Sequence, residues 1–293
     1  MKFLNIEALG FPIAQIKNGT GKMKNKIIYF LDSNGKSLHG FDELKIQGND
    51  TFFQLIPNPK IERQILYIAG CSGSGKSYFT KLYLKEYEKL FPKNTIYMFS
   101  PIGEDESLEG VKINYIKIEP ELLDDKLTAE DFKDSMVIWD DCEAIENKAL
   151  RNECTRILNS ILTTGRQYIV SCILTYHEIC AGIATKKILN ESHSITWFPK
   201  TLGTRSMKYL CDQYLGMSKD EIARLKKLKT RAVTVIKSYP KIVLSEKQIY
   251  CLCDDSDSDS SQSSDSEEEV VFTKNKSIIK RKKDNKFITN YKI

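Results

Sequence analysis

The sequence lacks a hydrophobic run that is long enough to cross a membrane. No stretch approaches the ~20 consecutive apolar residues that a membrane-spanning helix requires. The short apolar segment at the N-terminus is interrupted by Glu7, so it does not have the pattern of a secretory signal peptide. These absences argue against an integral membrane protein and predict an intracellular protein with no membrane span.

Regularly spaced cysteines, which mark disulfide scaffolds and zinc sites, are also absent. The chain contains eight cysteines, and several of them, such as Cys154, Cys172 and Cys180, lie in apolar stretches where buried free thiols are expected. Cys251 and Cys253 are separated by one residue, and no second pair lies at the spacing of zinc ligands. We therefore predict free thiols and no zinc site.

Two blocks of opposite charge lie next to each other at the C-terminal end. Residues 254–269 hold eight acids and no base, whereas residues 270–293 hold eight bases and one acid. The remaining body has 36 bases and 30 acids, a net +6 that permits nucleic-acid binding without being diagnostic of it. The acidic block is either a solvated spacer or a segment whose serines are phosphorylated by acid-directed kinases. The basic block could contact DNA phosphates, act as a nuclear localisation signal or fold back on the acidic block.

The apolar pattern divides the chain into three regions. Residues 1–60 contain short β-type segments separated by Gly, Asn and Pro, which predicts a small β-rich N-terminal extension. Residues 61–253 alternate strands with helices, which predicts a doubly wound, mainly parallel α/β sheet with helices on both faces. Residues 254–293 lack apolar periodicity and are predicted to be a disordered tail. The predicted core strands are residues 65–69, 95–99, 111–118, 136–140, 168–175, 195–198 and 232–237.

A glycine-rich loop follows the first strand of this core. It matches the pattern GxxxxGK[ST] through Gly70, Cys71, Ser72, Gly73, Ser74, Gly75, Lys76 and Ser77. Glycines in such a loop allow backbone N–H groups to surround phosphates at the N-terminus of the following helix. We predict that this loop and the adjacent Tyr78 bind ATP, with Lys76 at the β- and γ-phosphates and the Ser77 hydroxyl on Mg²⁺. Residues 61–253 are therefore predicted to form a P-loop NTPase (ATPase) domain.

Two carboxylates end a second apolar strand, in the segment MVIWDD. Asp140 is predicted to hold Mg²⁺ through water, and Asp141 or Glu143 is the predicted base that polarises the attacking water. The alternative is that these acids only cap the helix that follows. Because glutamate is usual where this chain has Asp141, the choice between Asp141 and Glu143 stays open.

Further candidate residues flank the strand YIVSCILT. Gly165 suits a left-handed residue that ends the preceding helix, and it would leave Arg166 on a loop near the ligand-binding edge of the sheet. Arg166 is the candidate arginine finger for the γ-phosphate of a neighbouring subunit, and a plain surface arginine is the alternative. After the strand, Thr175 and His177 occupy positions from which a polar side chain can sense the γ-phosphate, although His177 suits a structural role equally well.

The order of these motifs resembles the DNA-packaging ATPases of poxviruses and other large DNA viruses, which belong to the FtsK/HerA superfamily of P-loop NTPases. The resemblance rests on the P-loop and on the segments VIWDD, TTGRQYIVSCILTYHE and TKKILNESHSITWFPK, within roughly residues 65–200. Many relatives carry glutamine where this chain has His177, but an imidazole can also donate a hydrogen bond to phosphate.

The resemblance implies a motor that assembles as a homo-oligomeric ring, a pentamer or hexamer, and uses ATP and Mg²⁺ to push double-stranded DNA into a capsid. It implies that Lys76 and Ser77 bind the nucleotide and metal, that Asp140 and Asp141 form the acidic pair, and that Arg166 acts in trans. The expected partners are double-stranded DNA and capsid or portal-like virion proteins. The expected location is the host cytoplasm, at the virus factory, and the virion.

Two other functions stay open on the sequence. A nucleoside or small-molecule kinase shares the P-loop and the core, although Arg205, Arg224 and Arg231 lack the spacing of a lid that closes over phosphates. A non-catalytic, nucleotide-dependent virion assembly protein is compatible with aspartate rather than glutamate at Asp141. A helicase is disfavoured because the chain is too short for two recombinase-like cores.

Overall fold

The structure is a computed structural model, and it describes residues 4–31, 41–252, 269–272, 278–281 and 289–291. The chain divides into two compact units. One unit is Pro59–Lys227, and the other combines Met1–Asn58 with Leu228–Ile293. The unit that carries the P-loop therefore ends at Lys227, whereas the sequence pattern had placed the end of that domain at residue 253.

The secondary structure alternates in the first unit and is dominated by strands in the second. In chain order the strands are β1 (Leu4–Asn5), β2 (Phe11–Lys17), β3 (Ile27–Phe30), β4 (Glu43–Ile46), β5 (Phe52–Leu55), β6 (Ile65–Ala69), β7 (Thr95–Phe99), β8 (Asn114–Ile116), β9 (Ser135–Asp140), β10 (Ser171–Tyr176), β11 (Ser194–Trp197), β12 (Val233–Ile236), β13 (Lys241–Ser245), β14 (Gln248–Leu252), β15 (Glu269–Phe272), β16 (Ile278–Arg281) and β17 (Thr289–Tyr291). The α-helices are α1 (Lys76–Leu90), α2 (Leu122–Asp125), α3 (Lys148–Thr164), α4 (Ile183–Glu191), α5 (Thr204–Tyr209) and α6 (Lys219–Lys226).

Six parallel strands form the sheet of Pro59–Lys227, in the order β11, β6, β10, β9, β7 and β8. β10 lies between the P-loop strand β6 and the acidic strand β9. Tyr176 pairs with Ala69 on one side of β10, and Thr175 pairs with Asp140 on the other. The carboxyl ends of all three strands therefore meet at one edge, which is where open α/β sheets bind ligands.

Helices cover both faces of this sheet, as the sequence predicts. In the strand order, β7 lies to one side of β6, to which α1 connects it. β10 lies to the opposite side of β9, to which α3 connects it. Parallel crossovers are right-handed in almost every protein, so opposite directions place α1 and α3 on opposite faces. The predicted doubly wound α/β fold is confirmed.

The central strands are buried along their whole length. Every residue of β6, β9 and β10 is buried, which explains their continuous apolar sequences. At the neighbouring positions Phe99 and Trp139, the rings stack with centroids 4.1 Å apart and planes 8° apart. This stack lies immediately before Ser100 and Asp140, and it fixes the strand ends from which those side chains extend.

Each of the two long helices buries one face. α1 buries Tyr83, Leu84 and Tyr87, and α3 begins where the Asn147 side chain accepts hydrogen bonds from two backbone N–H groups. The buried residues of α3 are Leu150, Cys154, Ile157, Leu158, Ile161 and Leu162. This buried face ties α3, and the loop that follows it, to the sheet.

The second unit contains short, mostly antiparallel strands. One sheet has the order β1, β3, β2 and β5, which confirms the predicted β-rich N-terminal segment. β4 pairs with β14, and β14, β13 and β12 follow one another as antiparallel neighbours. In the predicted tail the structure describes only β15, β16 and β17, and the candidate phosphorylation sites between residues 254 and 268 lie outside the described residues.

None of the helices in the described part of the chain combines the length and apolar character that a bilayer crossing needs. All seven cysteines in the described part are free thiols, as predicted.

Candidate active site

The glycine-rich loop takes the backbone shape that its glycines permit. Gly73 and Gly75 have φ angles of 73° and 112°, values that side-chain-bearing residues rarely adopt. Gly75 is the N-cap of α1, and no side chain caps this 15-residue helix. The first N–H groups of α1 therefore have no side-chain acceptor, which leaves the positive end of the helix available to an anion.

Lys76 lies in the first turn of α1, and its ammonium group points back across the loop. Its Nζ donates a hydrogen bond to the carbonyl oxygen of Gly70 at 2.9 Å. The same Nζ lies 3.7 Å from Oδ2 of Asp141, and only 8% of the Lys76 side chain is exposed. The lysine thus connects the P-loop with the acidic end of β9 and holds a buried positive charge between them.

Close packing at Gly70 ties the loop to the neighbouring strand ends. A Cβ atom at Gly70 would lie 2.6 Å from Oγ of Ser74 and 2.8 Å from a ring carbon of Phe198. Any larger residue would push these groups apart. Of the remaining loop residues, Cys71, Ser72 and Gly73 are exposed, and Tyr78 is 55% exposed.

Asp140 is buried at the end of β9 between two hydroxyl groups. Oγ1 of Thr175 donates a hydrogen bond to its Oδ1 at 2.6 Å, and Oγ of Ser100 lies 3.5 Å from its Oδ2. Burial raises the pKa of Asp140, and the charges of Asp141 and Asp105 raise it further. The hydrogen bond from Thr175 and the charge of Lys76 act in the opposite direction. Thr175, expected as a phosphate sensor, therefore positions Asp140 here.

Asp141 is held in a left-handed backbone conformation with φ 44°. Non-glycine residues in this region are uncommon and often lie at functional sites. Its Oδ2 lies 3.0 Å from Nε2 of His177 and also faces Lys76. Its Oδ1 is buried and has no hydrogen-bond partner among the described residues. One oxygen of this carboxylate is thus paired, and the other is able to accept a proton or a hydrogen bond.

Glu143 contacts His177, the residue that also contacts Asp141. It accepts a hydrogen bond from the backbone N–H of His177 at 2.9 Å. Partial burial raises the pKa of Glu143, and the charges of Asp141 and Glu178 add to this, while His177 lowers it. Ligand atoms of Asp141, Glu143 and His177 all lie within 4.8 Å of one another, so the three predicted residues form one cluster.

The charges of the site suit a divalent cation. The charges of Asp141 and Asp105 both raise the pKa of Asp140, and the charge of Lys76 lowers it. Ser77 follows Lys76 in the first turn of α1, and its hydroxyl contributes to lowering the pKa of Asp105. Carboxylate and hydroxyl oxygens are the ligands that Mg²⁺ prefers. The predicted ligands Ser77 and Asp140 therefore fit Mg²⁺.

Ser100 and Asp105 are two residues of this site that the sequence reasoning missed. Ser100 directly follows β7, and the rule that strand ends carry functional side chains would have found it. Partial burial alone would raise the pKa of Asp105, but hydrogen bonds from Ser107 and Ser77 and the charge of Lys81 lower it. No motif marks Asp105, since it lies in a loop six residues beyond the end of the strand.

Arg166 lies at the opposite edge of the sheet from the P-loop, so the expectation that it projects near the ligand-binding edge is wrong. It precedes β10, whose first residues pair with Ile65 at the start of β6, whereas the P-loop begins after Ala69. Four residue steps along a strand span ~13 Å. Loops that enter parallel strands lie at the amino edge, and Arg166 is therefore remote from its own P-loop.

Gly165 also differs from the expectation, because it has a right-handed backbone with φ −58° rather than a left-handed one. Helix α3 is followed by hydrogen-bonded turns instead of a left-handed residue at Gly165. In one of them the N–H of Val170 donates a hydrogen bond to the Gly165 carbonyl oxygen at 2.9 Å. A Cβ at Gly165 would lie 2.3 Å from the carbonyl oxygen of Ile161 and 2.9 Å from Nη1 of Arg63. Glycine is needed here for close approach.

Arg63 closes the end of α3 beside this glycine. Its guanidinium donates hydrogen bonds to the carbonyl oxygens of Ile161 and Leu162, at 2.8 and 3.0 Å. These carbonyls belong to the last turn of the helix and have few partners within it. Arg63 thereby fixes the loop that carries Arg166.

The chain is similar in sequence to a protein of a virophage. No protein-family model matches the chain. The chain is 37% identical over 248 residues to "Uncharacterized protein V3" of Sputnik virophage, which covers 84% of this chain and 97% of that protein. Identity at this level over nearly the whole of both chains reflects a shared fold and common descent.

Solved structures with partial likeness include several ATPases. The genome packaging NTPase B204 of Sulfolobus turreted icosahedral virus 2, in complex with AMPPCP, has a TM-score of 0.44 and 14% identity, over 63% of this chain and 98% of that one. The ATPase EccC of Thermomonospora curvata has a TM-score of 0.46 and 10% identity, over 73% and 29%. Scores below 0.5 do not establish an equivalent structure, so the functional assignment has to come from the residues of this chain.

Proposed function

Because this chain belongs to the family of the Sputnik virophage protein V3, and because its site joins a P-loop to a buried acidic pair, we propose that it is a Mg²⁺-dependent ATPase that drives double-stranded DNA into viral capsids. The observation that carries the proposal is the position of Lys76. Its ammonium group lies at the uncapped N-terminus of α1, bonded to Gly70 and facing Asp141.

Nucleotide binding is the first part of the proposal. A triphosphate placed against the loop receives hydrogen bonds from the free N–H groups at the start of α1 and the charge of Lys76. Because Lys76 is buried, water screens its charge only weakly. The exposed residues Cys71, Ser72 and Gly73 leave the outer side of the loop accessible to the ligand.

Ser77 and Asp140 are the residues that would hold Mg²⁺. When bound, the cation neutralises negative charge on the phosphates and on the carboxylates. Thr175 and Ser100 keep the Asp140 carboxylate in place through their hydroxyl groups. Burial and the charges of Asp141 and Asp105 raise the pKa of Asp140, and the charge of a bound cation would act in the opposite direction.

Hydrolysis requires a base near the γ-phosphate, and Asp141 is placed best for this role. Its Oδ2 lies 3.7 Å from Nζ of Lys76, the side chain that we propose binds the β- and γ-phosphates, and its Oδ1 has no partner in the described part of the chain. His177 orients the other carboxylate oxygen, and Glu143 holds the backbone of His177. We assign the proton-accepting role to Asp141 and a positioning role to Glu143 and His177.

Completion of the site by a neighbouring subunit is the second part of the proposal. Arg166 is exposed at the sheet edge remote from its own P-loop, so it is unable to reach the nucleotide of its own chain. An arginine in such a position can stabilise transition-state charge only in another subunit. We therefore propose a homo-oligomeric ring, a pentamer or hexamer, in which Arg166 of one copy faces the P-loop of the next.

The packaging role rests on the order of the sequence motifs and on the viral origin of the relative. The P-loop, VIWDD and TTGRQYIVSCILTYHE segments follow one another as in viral DNA-packaging ATPases. We propose double-stranded DNA and capsid or portal-like proteins as partners. The proposed place of action is the host cytoplasm, at the virus factory, and the virion.

Phosphate release by the purified chain, with and without double-stranded DNA, tests this function. We expect hydrolysis that DNA stimulates and that Lys76→Ala abolishes, together with a mass in solution that corresponds to several copies. Transfer of phosphate to a nucleoside or another small acceptor would instead show a kinase. Tight ATP binding without turnover, with or without DNA, would identify a non-catalytic assembly protein.

A further inference from the structure

Positive charge within the P-loop unit is concentrated in its last part. Residues 59–199 hold 17 bases and 21 acids, a net charge of −4. Residues 200–227 hold seven bases and three acids, a net charge of +4. The seven bases are Lys200, Arg205, Lys208, Lys219, Arg224, Lys226 and Lys227. A neutral unit that separates its charges in this way has one region suited to a polyanion.

The fold of this segment places its bases on the outside. It consists of α5, a π-helical turn at Leu210–Tyr214, and α6. Seven of its apolar side chains are buried, Tyr209 is 52% exposed, and all seven bases are exposed. The buried apolar residues are Met207, Leu210, Cys211, Leu215, Met217, Ile222 and Leu225. The exposed part of the segment therefore carries a net positive charge.

Two of the three acids in this segment have local roles. Glu221 belongs to the capping box of α6, in which it accepts a hydrogen bond from the N–H of Ser218 at 2.6 Å. The Asp212 carboxylate accepts a hydrogen bond from the side-chain amide of Gln213 at 2.7 Å. These acids reduce the basic charge only in part.

The basic segment begins at the P-loop edge of the sheet. Trp197, the last residue of β11, pairs with Ala69, and Phe198 contacts the position of Gly70 so closely that a Cβ atom there would clash. The N–H groups of Thr201 and Leu202 bond to the carbonyl oxygen of Phe198 at 3.0 and 3.2 Å. Phe198 therefore connects the P-loop directly with the start of the basic segment.

We propose that the surface formed by α5, the π-helical turn and α6 binds the phosphate backbone of double-stranded DNA. This inference rests on the proposed DNA-translocating function and names the surface that performs it. Basic residues on helices at a protein surface bind phosphates without regard to base sequence, as a motor that moves along DNA requires. An anionic membrane is a less suitable ligand, because the apolar residues of α6 are buried rather than exposed for insertion.

Salt-dependent DNA binding by the full chain tests the proposal. The affinity for a fluorescent duplex of mixed sequence is measured by anisotropy over a series of KCl concentrations, without nucleotide. The variant Lys226→Gln/Lys227→Gln removes two charges from α6, and Lys85→Gln/Lys93→Gln removes two exposed charges elsewhere in the unit. Thermal melting of all three proteins verifies that they are folded.

We expect the slope of log affinity against log salt to become shallower by about two for the α6 variant, because each lysine that contacts a phosphate contributes about one. The control variant should keep the wild-type slope. Equal slopes for the wild type and the α6 variant would overturn the surface assignment and leave the ATPase proposal intact. Binding to anionic vesicles but not to duplex DNA would overturn both the assignment of this surface to DNA and the DNA-motor function. If ATP hydrolysis persisted in that case, the assignment of the nucleotide site would still hold.

Discussion

Glu62 and Arg166 form an ion pair in which Nε of the arginine lies 2.6 Å from a carboxylate oxygen. The pair lies at the edge of the sheet where β6 and β10 begin, whereas the P-loop lies where β6 ends. Both side chains are largely exposed, so the pair contributes little to stability and is readily exchanged for another anion. Arg166 is thus available to a phosphate that a second copy of the chain presents.

The position of Arg166 predicts that the active site is shared between subunits. Arg166→Ala should reduce turnover by ~10³- to 10⁵-fold and leave ATP affinity nearly unchanged, because the residue does not touch the nucleotide of its own chain. Lys76→Ala should bind nucleotide at least tenfold more weakly, lose hydrolysis and keep a functional Arg166. Steady-state hydrolysis and ATP binding, measured on each variant, separate these effects.

Mixed assemblies of the two variants provide the sharper test. Where a Lys76→Ala subunit presents its Arg166 to the intact P-loop of an Arg166→Ala subunit, hydrolysis should return. A mixture that remains as inactive as its separate components, despite shared assemblies, would exclude action in trans.

The carboxylates beside His177 should differ in their effect on turnover. We expect Asp141→Asn to reduce kcat by ~10²- to 10⁴-fold, since it removes the group placed to accept a proton. Glu143→Gln keeps an acceptor for the backbone N–H of His177, so its effect should be smaller than tenfold. Single-turnover hydrolysis with saturating ATP measures both, and the reverse order of effects would transfer the role of base to Glu143.

The raised pKa of Glu143 also predicts a dependence of stability on pH. Partial burial and the charges of Asp141 and Glu178 raise this pKa, so the folded state binds the proton more tightly than the unfolded state does. The resulting destabilisation is absent below the ordinary glutamate pKa and develops as the pH rises through the raised value. Glu143→Gln should therefore melt above the wild type at neutral pH and together with it in acid.

The size of this effect is limited because more than a third of Glu143 is exposed. Solvent screening keeps the gain below ~1 kcal/mol, which corresponds to about 2–4 °C in Tm. Melting curves across the acid range measure it. A Tm difference that is constant over the whole range would show that ionisation of Glu143 is not its cause.

Close packing at Gly165 predicts a specific sensitivity to a single methyl group. Gly165→Ala would force a Cβ against the Ile161 carbonyl and Arg63, and we expect a loss of ~1–3 kcal/mol. Gly203→Ala is the matched control, because a Cβ there meets nothing within 4 Å and the backbone has φ −62°. Chemical denaturation should show a loss for the first variant and almost none for the second. Equal stabilities would mean that the end of α3 is not fixed by this packing.

Most of the sheet was predictable from the sequence, because its strands are buried on both faces and are therefore continuously apolar. Strands such as Ile65–Ala69 and Thr95–Phe99 match the predicted ranges, and the acidic pair falls at the end of Ser135–Asp140 as expected. The P-loop was recognisable because glycine, lysine and serine must occupy fixed positions in it. Local chemistry was sufficient for these features.

Features that depend on topology were not predictable in the same way. The edge of the sheet at which Arg166 lies follows from strand direction, and the right-handed conformation of Gly165 follows from the approach of Arg63, 102 positions earlier in the chain. Asp105 joins the site from a loop without a motif. The grouping of residues 228–252 with the N-terminal unit depends on pairing between β14 and β4, which is distant in sequence.

The most direct test of the nucleotide site is calorimetric titration of the full chain with a non-hydrolysable ATP analogue in the presence of Mg²⁺. We expect one site per chain in the wild type and at least a tenfold weaker affinity for Lys76→Ala, which loses a charge-assisted contact worth about 1.5–3 kcal/mol. An unchanged affinity in a folded Lys76→Ala protein would contradict the assignment of the P-loop as the site that binds ATP.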